Sequence, residues 1–465
     1  MPTAAPRPDT AEPPATRRLA RAIAGLRAED VPAGVRDKAR GCLADFVGCV
    51  LESADLPWSR SALAYARLQP PGPAGVIGTG LRLGATEAAF ANGTLGHGLV
   101  REDMHVASCS HLGVVVWPAL LALAEQEGDK GGDLLLAGIA GYEAGAQVGR
   151  ALFDADLAAR IRPTGTIGAI AAAAAGARFL GLSEDRTLAA LSLAANMAGG
   201  LNEWPWAGGT EMVVHAGTAA RAGVTAVLLA REGMEPSPSA LEGRAGLFAA
   251  YGRRDRAERI APFAEGHFEI TEVYWKPSPA CNYVQTPCQV AARLATRLAE
   301  AGLGAEAVES LRIDSFPHAV DYPGCDFAGP FSAVLEAKMS LQYSVAAVLV
   351  TGEIAEANYR MLDDPGIARL AGATTLALDD GFIAAYPGKQ GARVTLTLRD
   401  GQEMAEEMAD VDSVDLAGVL ARLDAIATAT LGAQGAAEIA AALEELDRPD
   451  AAATLVAATV PANSG

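Results

Sequence analysis

The stretch from Gly168 to Gly176 contains only glycine, alanine and isoleucine, so a helix formed there would be apolar on every side. A helix on the surface of a globular protein carries a polar stripe, whereas a helix without one belongs in the interior. We therefore predict that this segment lies in the middle of a helical bundle. Further segments with apolar residues at helical spacing are Ala62–Leu68, Val114–Gln126, Leu134–Phe153, Thr166–Leu180, Arg186–Met197 and Ala216–Arg231.

The pattern changes after about residue 267, where β-branched and alternating residues become frequent. Strands are predicted at Glu269–Trp275, Val308–Phe316, Ala373–Leu378 and Gly391–Arg399, and helices at Val284–Ala301, Lys338–Val350 and Val411–Leu446. The predicted fold is then mostly α with a smaller α+β domain. We assign residues 1–16 to a disordered tail, 17–267 to a large all-helical domain, 268–405 to an α+β lid domain and 406–465 to a helical return to the first domain.

The charge balance narrows the range of partners. With 37 basic and 56 acidic residues the chain has a net charge of −19, which argues against a nucleic-acid-binding surface. The six cysteines show no paired zinc spacing and are typical of reduced thiols. The N-terminal residues lack the apolar core of a signal peptide, and no uninterrupted apolar run approaches the roughly 20 residues that span a bilayer. The sequence therefore predicts a cytoplasmic protein that does not act at a membrane.

The segment from Ala91 to His111 concentrates titratable side chains. It holds three of the six histidines of the chain, with three charged residues between them: His97, His105 and His111, and Arg101, Glu102 and Asp103. Proton transfer requires groups whose pKa lies near the working pH, backed by fixed charges. Since such groups are scarce in the surrounding alanine- and leucine-rich sequence, the segment predicts an active site.

A set of short motifs is spread from about Ala20 to Leu446. They are Ala91-Asn-Gly with His97, His111 followed by Val114–Glu125, Pro163-Thr-Gly-Thr166, His215-Ala-Gly with Ala219-Ala220, Leu241-Glu-Gly-Arg-Ala-Gly246, Lys276-Pro-Ser-Pro-Ala-Cys281, Ser340-Leu-Gln-Tyr343, Asp364-Pro365 and Pro387-Gly-Lys-Gln-Gly-Ala-Arg393. No one motif is specific, but their order and spacing together resemble the MmgE/PrpD family, whose members include 2-methylcitrate dehydratase, cis-aconitate decarboxylase and iminodisuccinate epimerase. The resemblance implies a helical domain with an α+β domain, a homodimer, a cleft between the domains, and chemistry without a metal or organic cofactor.

The chain departs from the family pattern at several positions. The acidic loop that usually reads Asp-Phe-Asp-Asp-Thr is here Val100-Arg-Glu-Asp-Met104, so that its first aspartate and its threonine are replaced. Arg162 stands where a histidine usually precedes Pro-Thr-Gly, and Met212 stands where a lysine is usual. The family residues that the resemblance retains are His111, Lys276 and Tyr343.

Removal of a proton next to a carboxylate creates an enolate-like dianion, so the site must supply a base and cations. The residues expected to act in catalysis are His111, Tyr343, Lys276, Asp103 and His105. Those expected to bind substrate are Arg101, Arg162, Lys276, Glu102 and Cys281. Arginine can clamp a carboxylate with two hydrogen bonds, which favours a substrate with two or more carboxylates.

Structural roles remain open for most of these residues. His111 is the preferred base or acid, although it could cap the following helix, and Tyr343 could pack in a core instead of donating to a leaving group. His105 is either a second proton carrier or a support, and Cys281 could be an inert buried thiol. His97 and His215 are expected to be structural.

The three loop histidines are spaced by eight and six residues, which matches no compact zinc pattern, so we expect no metal site. The leading hypothesis is a cofactor-independent lyase, of dehydratase or decarboxylase type, that acts on a small polycarboxylate. An isomerase or epimerase is the close alternative, because two proton carriers on opposite faces of one carbon would epimerise it. A catalytically silent carboxylate-binding homologue is the third hypothesis.

Overall fold

The helix Pro163–Phe179 lies at the centre of the larger of the two main hydrophobic cores in the described part of the chain, and all its residues except Arg178 are buried. It packs against the helices Gly113–Glu127, Leu134–Leu152, Glu184–Met197 and Met212–Arg231. The approach is close because the contacts are made by small residues: a Cβ on Gly223 would lie only 2.3 Å from the Cβ of Ala172. The predicted central helix is therefore confirmed.

The computed structural model describes residues 13–128 and 132–461. The helices before residue 268 are Ala15–Gly25, Ala33–Ser53, Pro57–Ala66, Ala85–Gly96, Gly113–Glu127, Leu134–Leu152, Ala155–Ala158, Pro163–Phe179, Glu184–Met197, Trp204–Ala207, Met212–Arg231 and Leu247–Ala250, with 3₁₀ turns at Ala28–Asp30, Val106–Ser108, Arg254–Arg259 and Ala264–Gly266. Side-chain caps begin several of them. For example, Asp133 accepts a hydrogen bond from the backbone N–H of Leu136 at 2.9 Å.

The smaller core belongs to the α+β part of the chain. Its four-stranded sheet has the order Thr374–Leu378, Val308–Ser315, Ala392–Leu398 and Glu403–Met408, in which only the first pair is parallel. The helices of this part are Gln285–Glu300, Pro317–Asp321, Val334–Met339, Leu341–Thr351, Pro365–Gly372 and Asp380–Ala385, and its 3₁₀ turns are Glu269–Glu272, Asn282–Val284, Ala305–Ala307 and Glu356–Arg360. The fold class, a large helical domain with a smaller α+β domain, is confirmed.

The C-terminal helices return to the first core. Leu416–Glu444 packs on Ala33–Ser53, and Ala451–Ala458 packs on Gly113–Glu127. The long helix is interrupted at Gly432, whose φ of 82° lies in the left-handed region that favours glycine. Met212–Arg231 and Leu416–Glu444 are long and apolar enough to cross a membrane by length and composition alone; 61% of the most apolar window of the first is buried in the fold, against 17% for the second.

Several elements differ from the sequence-based expectation; the predicted helix Lys338–Val350, for example, is divided at Ser340 into Val334–Met339 and Leu341–Thr351. The first helix begins at Ala15, inside the predicted tail, because Thr16 Oγ1 donates to Glu242 Oε2 at 2.5 Å; residues 1–12 of that tail lie outside the described residues. The predicted strand Glu269–Trp275 is a 3₁₀ turn followed by the two-residue strand Val273–Tyr274, since the carboxylate of Glu269 is drawn into a buried network. The strand Glu403–Met408 and the short pair Pro71–Gly75 and Arg82–Leu83 were not predicted.

Candidate active site

A cavity of 340 Å³ lies between the two cores. The helical domain contributes His111 and Arg162 to its wall, and the α+β domain contributes Cys281, His318 and Tyr322. Small-molecule sites of similar volume occur in such clefts between domains. The loop that follows the helix Ala85–Gly96 forms one side of this cavity, so the predicted segment of titratable residues lies at an interdomain cleft.

A short strand pair joins the loop to the start of the α+β domain. Met104–His105 pairs antiparallel with Val273–Tyr274, and this pairing brings Lys276 against the loop. The ammonium group of Lys276 donates to the backbone carbonyl of Val100 at 2.7 Å. Val100 has a φ of 61°, which is unusual for a β-branched residue. Lys276 therefore helps to hold a strained turn of the loop, and it is fully buried behind the cavity wall.

His97, Glu102 and Arg162 form a buried hydrogen-bonded chain. Arg162 Nη2 lies 3.1 Å from His97 Nε2, and His97 Nδ1 lies 2.5 Å from Glu102 Oε1. Because a guanidinium can only donate, His97 Nε2 must accept and its proton must be on Nδ1. Burial lowers the pKa of His97, which agrees with this neutral form. His97 thus positions Arg162, consistent with the structural role expected for it.

The ring of His111 is held by hydrogen bonds from its Nδ1 atom. Its Nδ1 lies 3.0 Å from the carbonyl oxygen of Asp103 and 3.2 Å from Glu102 Oε1, and both of these atoms are acceptors. Nδ1 must therefore carry the proton, which leaves Nε2 with a lone pair on a side chain that lines the cavity. An imidazole in this tautomer can remove a proton from a bound molecule.

Burial and neighbouring charges determine the protonation states of His111 and Glu102. Burial, together with the Lys276 ammonium, lowers the pKa of His111 well below 6.5, so its imidazole is neutral at physiological pH. Burial would by itself raise the pKa of Glu102, but the facing imidazoles and Lys276 lower it overall. Burial also lowers the pKa of Lys276. Glu102 is therefore ionised and binds both His97 and His111. It does not belong to the described residues that line the cavity.

Arg162 differs from the neighbouring arginines of this region in its pairing. Arg101 forms a close ion pair with Glu52 and lies within 3.8 Å of Cys49 Sγ, behind the loop. Arg150, also on the wall, is paired with Glu269 at 2.6 Å. In the described part of the chain Arg162 has no carboxylate partner, and its Nε has no hydrogen-bond partner. Its guanidinium keeps capacity to bind an anion.

Several residues selected from the sequence lie away from the cavity. The hydroxyl of Tyr343 is inside the smaller core and donates to the carbonyl of Asn358 at 2.8 Å. His105 is enclosed between Ser108 Oγ, at 2.8 Å, and Glu269 Oε2, at 2.9 Å. Both side chains already use their polar atoms internally, and their catalytic roles stay predictions. Cys281 does line the cavity, with its Sγ 3.8 Å from Cys325 Sγ.

The structure adds wall residues that the sequence did not single out. His318 and Tyr322 come directly after the strand Val308–Ser315, in a short helix and the turn that follows it. Burial raises the pKa of Tyr322, so its hydroxyl stays protonated while it accepts a hydrogen bond from Asn202 at 3.2 Å. Site residues frequently lie in segments that follow a strand, so the position of these two residues after a predicted strand could have indicated them.

Among the described residues, no group of three or more histidine, cysteine, aspartate or glutamate side chains is arranged to hold a metal ion. The expectation of chemistry without a metal or organic cofactor stays a prediction.

Asp103 lies at the start of the helix Gly113–Glu127. Its Oδ1 accepts from the backbone N–H of Gly113 at 3.0 Å, and its Oδ2 accepts a short hydrogen bond from the Tyr142 hydroxyl. Burial raises the pKa of Asp103 to about 6. The residue is therefore a buried helix cap beneath His111, whose ring is bonded to the Asp103 carbonyl.

We expect Asp103→Ala to lower the free energy of unfolding by about 2 kcal/mol at neutral pH, because two buried donors lose their acceptor. The raised pKa means that the contribution of the protonated carboxyl is fully present below about pH 4 and is lost as the pH rises through about 6. The loss should therefore be about 1 kcal/mol larger at pH 5 than at pH 8. Urea unfolding at both pH values measures it.

The matched control is Asp415→Ala, which removes an exposed cap that accepts from Gly418 N–H at 2.7 Å. Its expected cost at neutral pH is about 1 kcal/mol. A loss for Asp103→Ala no greater than for this control would contradict the buried-cap role.

Comparison with known proteins covers most of the chain. A family model described as the MmgE/PrpD N-terminal domain matches residues 17–260, and one described as the MmgE/PrpD C-terminal domain matches residues 278–416. A cis-aconitate decarboxylase of Aspergillus terreus is 28% identical over 82% of each chain, and a 2-methylcitrate dehydratase of Cupriavidus necator is 27% identical over 80% of each. A cis-aconitate decarboxylase-like protein of Aspergillus oryzae is 37% identical, over 48% of each chain.

Proposed function

The chain belongs to the MmgE/PrpD family and is a lyase of that type, and we propose that it removes a proton next to a carboxylate of a small polycarboxylic acid bound between its two domains. The observation that carries the proposal is the pair formed by Arg162 and His111 on one cavity wall. Arg162 is a buried cation without a carboxylate partner in the described chain, and His111 is a neutral imidazole with a lone pair on Nε2.

The roles follow from these properties. A substrate carboxylate bound by Arg162 would offset the cost of burying its guanidinium. In a dehydration, His111 Nε2 then removes the adjacent proton, and the guanidinium stabilises the developing enediolate more than the ground state. In a decarboxylation, the carbon–carbon bond to the departing carbon dioxide would break instead, and a protonated wall group would have to deliver a proton to that carbon. Tyr322, which keeps its proton, is placed on the wall to donate to a departing or newly charged oxygen. The named relatives act on cis-aconitate and 2-methylcitrate, which are acids of this class.

The second candidate function is isomerisation. It is favoured by one observation, that His318 of the α+β domain lines the same cavity as His111 of the helical domain. Two imidazoles that face a bound carbon from different domains could remove and return a proton on opposite faces.

Product analysis in deuterated water distinguishes the two functions. We expect the protein, incubated with cis-aconitate, 2-methylcitrate and related di- and tricarboxylates, to form an alkene by loss of water or to release carbon dioxide. Deuterium in recovered substrate of inverted configuration, without either product, would favour the isomerase. Absence of product and exchange across the series, with substrate binding retained, would contradict both and leave a binding protein.

The pH dependence of kcat/KM tests His111 as the base, because this parameter reports groups of the free enzyme. The base is active when unprotonated, and its pKa is well below 6.5, so activity should persist below pH 6.5 and fall only at lower pH. Lys276→Gln should move this acid limb to higher pH, since the ammonium charge is one cause of the low pKa. An acid limb above pH 6.5, or one that Lys276→Gln leaves in place, would contradict the assignment.

A further inference from the structure

The wall of the cavity has a polar part, which contains His111 and Arg162, and a larger apolar part. Away from His111 and Arg162 it is built mainly from thioether, aromatic and aliphatic groups, which include Met104, Phe153, Met212 and Met339, together with the indole of Trp204. All five side chains are buried in the structure. A surface of this kind binds hydrocarbon and disfavours charge.

The other charged groups of the wall are already satisfied. Arg150 is paired with Glu269, as described above. Asp154 accepts from the backbone N–H of Leu157 and forms ion pairs with Arg253, at 3.0 Å, and Arg256, at 2.9 Å. A second cation without a carboxylate partner is therefore not found on this wall among the described residues. Further carboxylates of a compact tricarboxylic acid would meet apolar side chains and neutral hydrogen-bonding groups on this wall, without a second unpaired cation among the described residues.

Three departures from the family pattern fall on the apolar part of this surface, whereas a fourth, Arg162, supplies a cation of the wall. Val100, Met104 and Met212 occupy positions where the resembling pattern has polar or charged residues, and all three line the cavity. Each of these three exchanges replaces a hydrogen-bonding or charged group by a hydrocarbon or thioether group, so all three make this part of the wall more apolar.

We propose that the substrate carries a hydrophobic substituent of several carbon atoms, an alkyl chain or an aryl group, which lies on this apolar wall while a carboxylate binds Arg162. The inference rests on the proposed function and specifies its substrate class. The volume of 340 Å³ lies within the range of sites that enclose small organic ligands.

The binding test uses a homologous series of succinates that carry methyl, butyl and hexyl substituents, titrated calorimetrically against the intact protein. Each added methylene is expected to tighten the Kd about fourfold until the cavity is filled, because apolar surface leaves water. A Kd that stays constant or rises from methyl- to hexylsuccinate would overturn the inference.

Val106→Asn tests the wall directly. Val106 lines the cavity and is only partly buried, so a polar side chain of similar size can be accommodated there. We expect it to weaken hexylsuccinate binding about tenfold and methylsuccinate binding less than threefold. The matched control is Val214→Asn on the helix Met212–Arg231, a residue with 38% exposure outside the cavity lining, which should change neither Kd. Equal losses for both ligands in Val106→Asn would overturn the inference.

Turnover separates this inference from the proposed function. Higher kcat/KM for alkylated tricarboxylates than for citrate and cis-aconitate supports both. Higher kcat/KM for the compact acids overturns the inference and leaves the proposed function standing. Binding that tightens with chain length, with no turnover of any acid in the series, supports the inference and overturns the proposed function.

Discussion

Replacement of His111 by alanine is expected to lower kcat by about 10³-fold, which is the usual contribution of a positioned general base. In the proposed function the base is this imidazole, which is neutral and lines the same cavity as Arg162, with Nδ1 fixed by the Asp103 carbonyl and Glu102. The alanine variant removes Nε2 and leaves the hydrogen bond between His97 and Glu102 intact. Steady-state kinetics on the acid with the highest wild-type kcat/KM measures the effect.

Two controls accompany this variant. The melting temperature should stay within a few degrees of wild type, because the backbone N–H of position 111 still donates to Thr164. His267→Ala changes a half-exposed histidine outside the cavity lining and should leave kcat unchanged. Addition of imidazole should restore part of the activity of the His111 variant. A variant within threefold of wild-type kcat would remove His111 from proton transfer.

Replacement of Arg162 by alanine is expected to lower kcat/KM by about 10³-fold, in the range for loss of one partner of a buried charge pair. The guanidinium would hold the substrate carboxylate and stabilise the charge that develops on it, so KM should rise and kcat should fall. Lysine at this position keeps the charge but not the planar fork, so Arg162→Lys should lie between alanine and wild type. Kinetics and calorimetric titration with a dicarboxylate provide the two readouts.

The matched control for Arg162 is Arg160→Ala. Arg160 is exposed and pairs with Asp156 on the surface, so its loss should change kcat/KM by less than twofold. Guanidinium ion at millimolar concentration should partly rescue Arg162→Ala and should have no effect on the control. Unchanged dicarboxylate affinity in Arg162→Ala would contradict the assignment of the anion site.

Much of the fold could be predicted because its signals are local. The all-round apolar helix Pro163–Phe179 and the strand Val308–Ser315 follow from hydrophobic pattern alone. The strand Glu403–Met408 was missed because its side chains are mostly charged or exposed, as suits an edge strand whose pairing is decided by its neighbour Ala392–Leu398.

The site could be predicted only in part, because side-chain direction depends on tertiary contacts. The loop sequence indicates an active site, but it does not reveal that Arg101 lies behind the loop against Glu52 while Arg162 lies on the cavity wall. Tyr343 is retained in a motif yet lies inside the smaller core, whereas Tyr322 reaches the wall from the turn after the short helix Pro317–Asp321. Burial and partner choice, not residue type, separate these pairs.

The most direct test of the account is a crystal structure of the intact protein with a bound dicarboxylate. We expect one carboxylate within hydrogen-bond distance of the Arg162 guanidinium and the adjacent carbon near Nε2 of His111. A dicarboxylate bound elsewhere, with the cavity between the domains filled only by water, would contradict it.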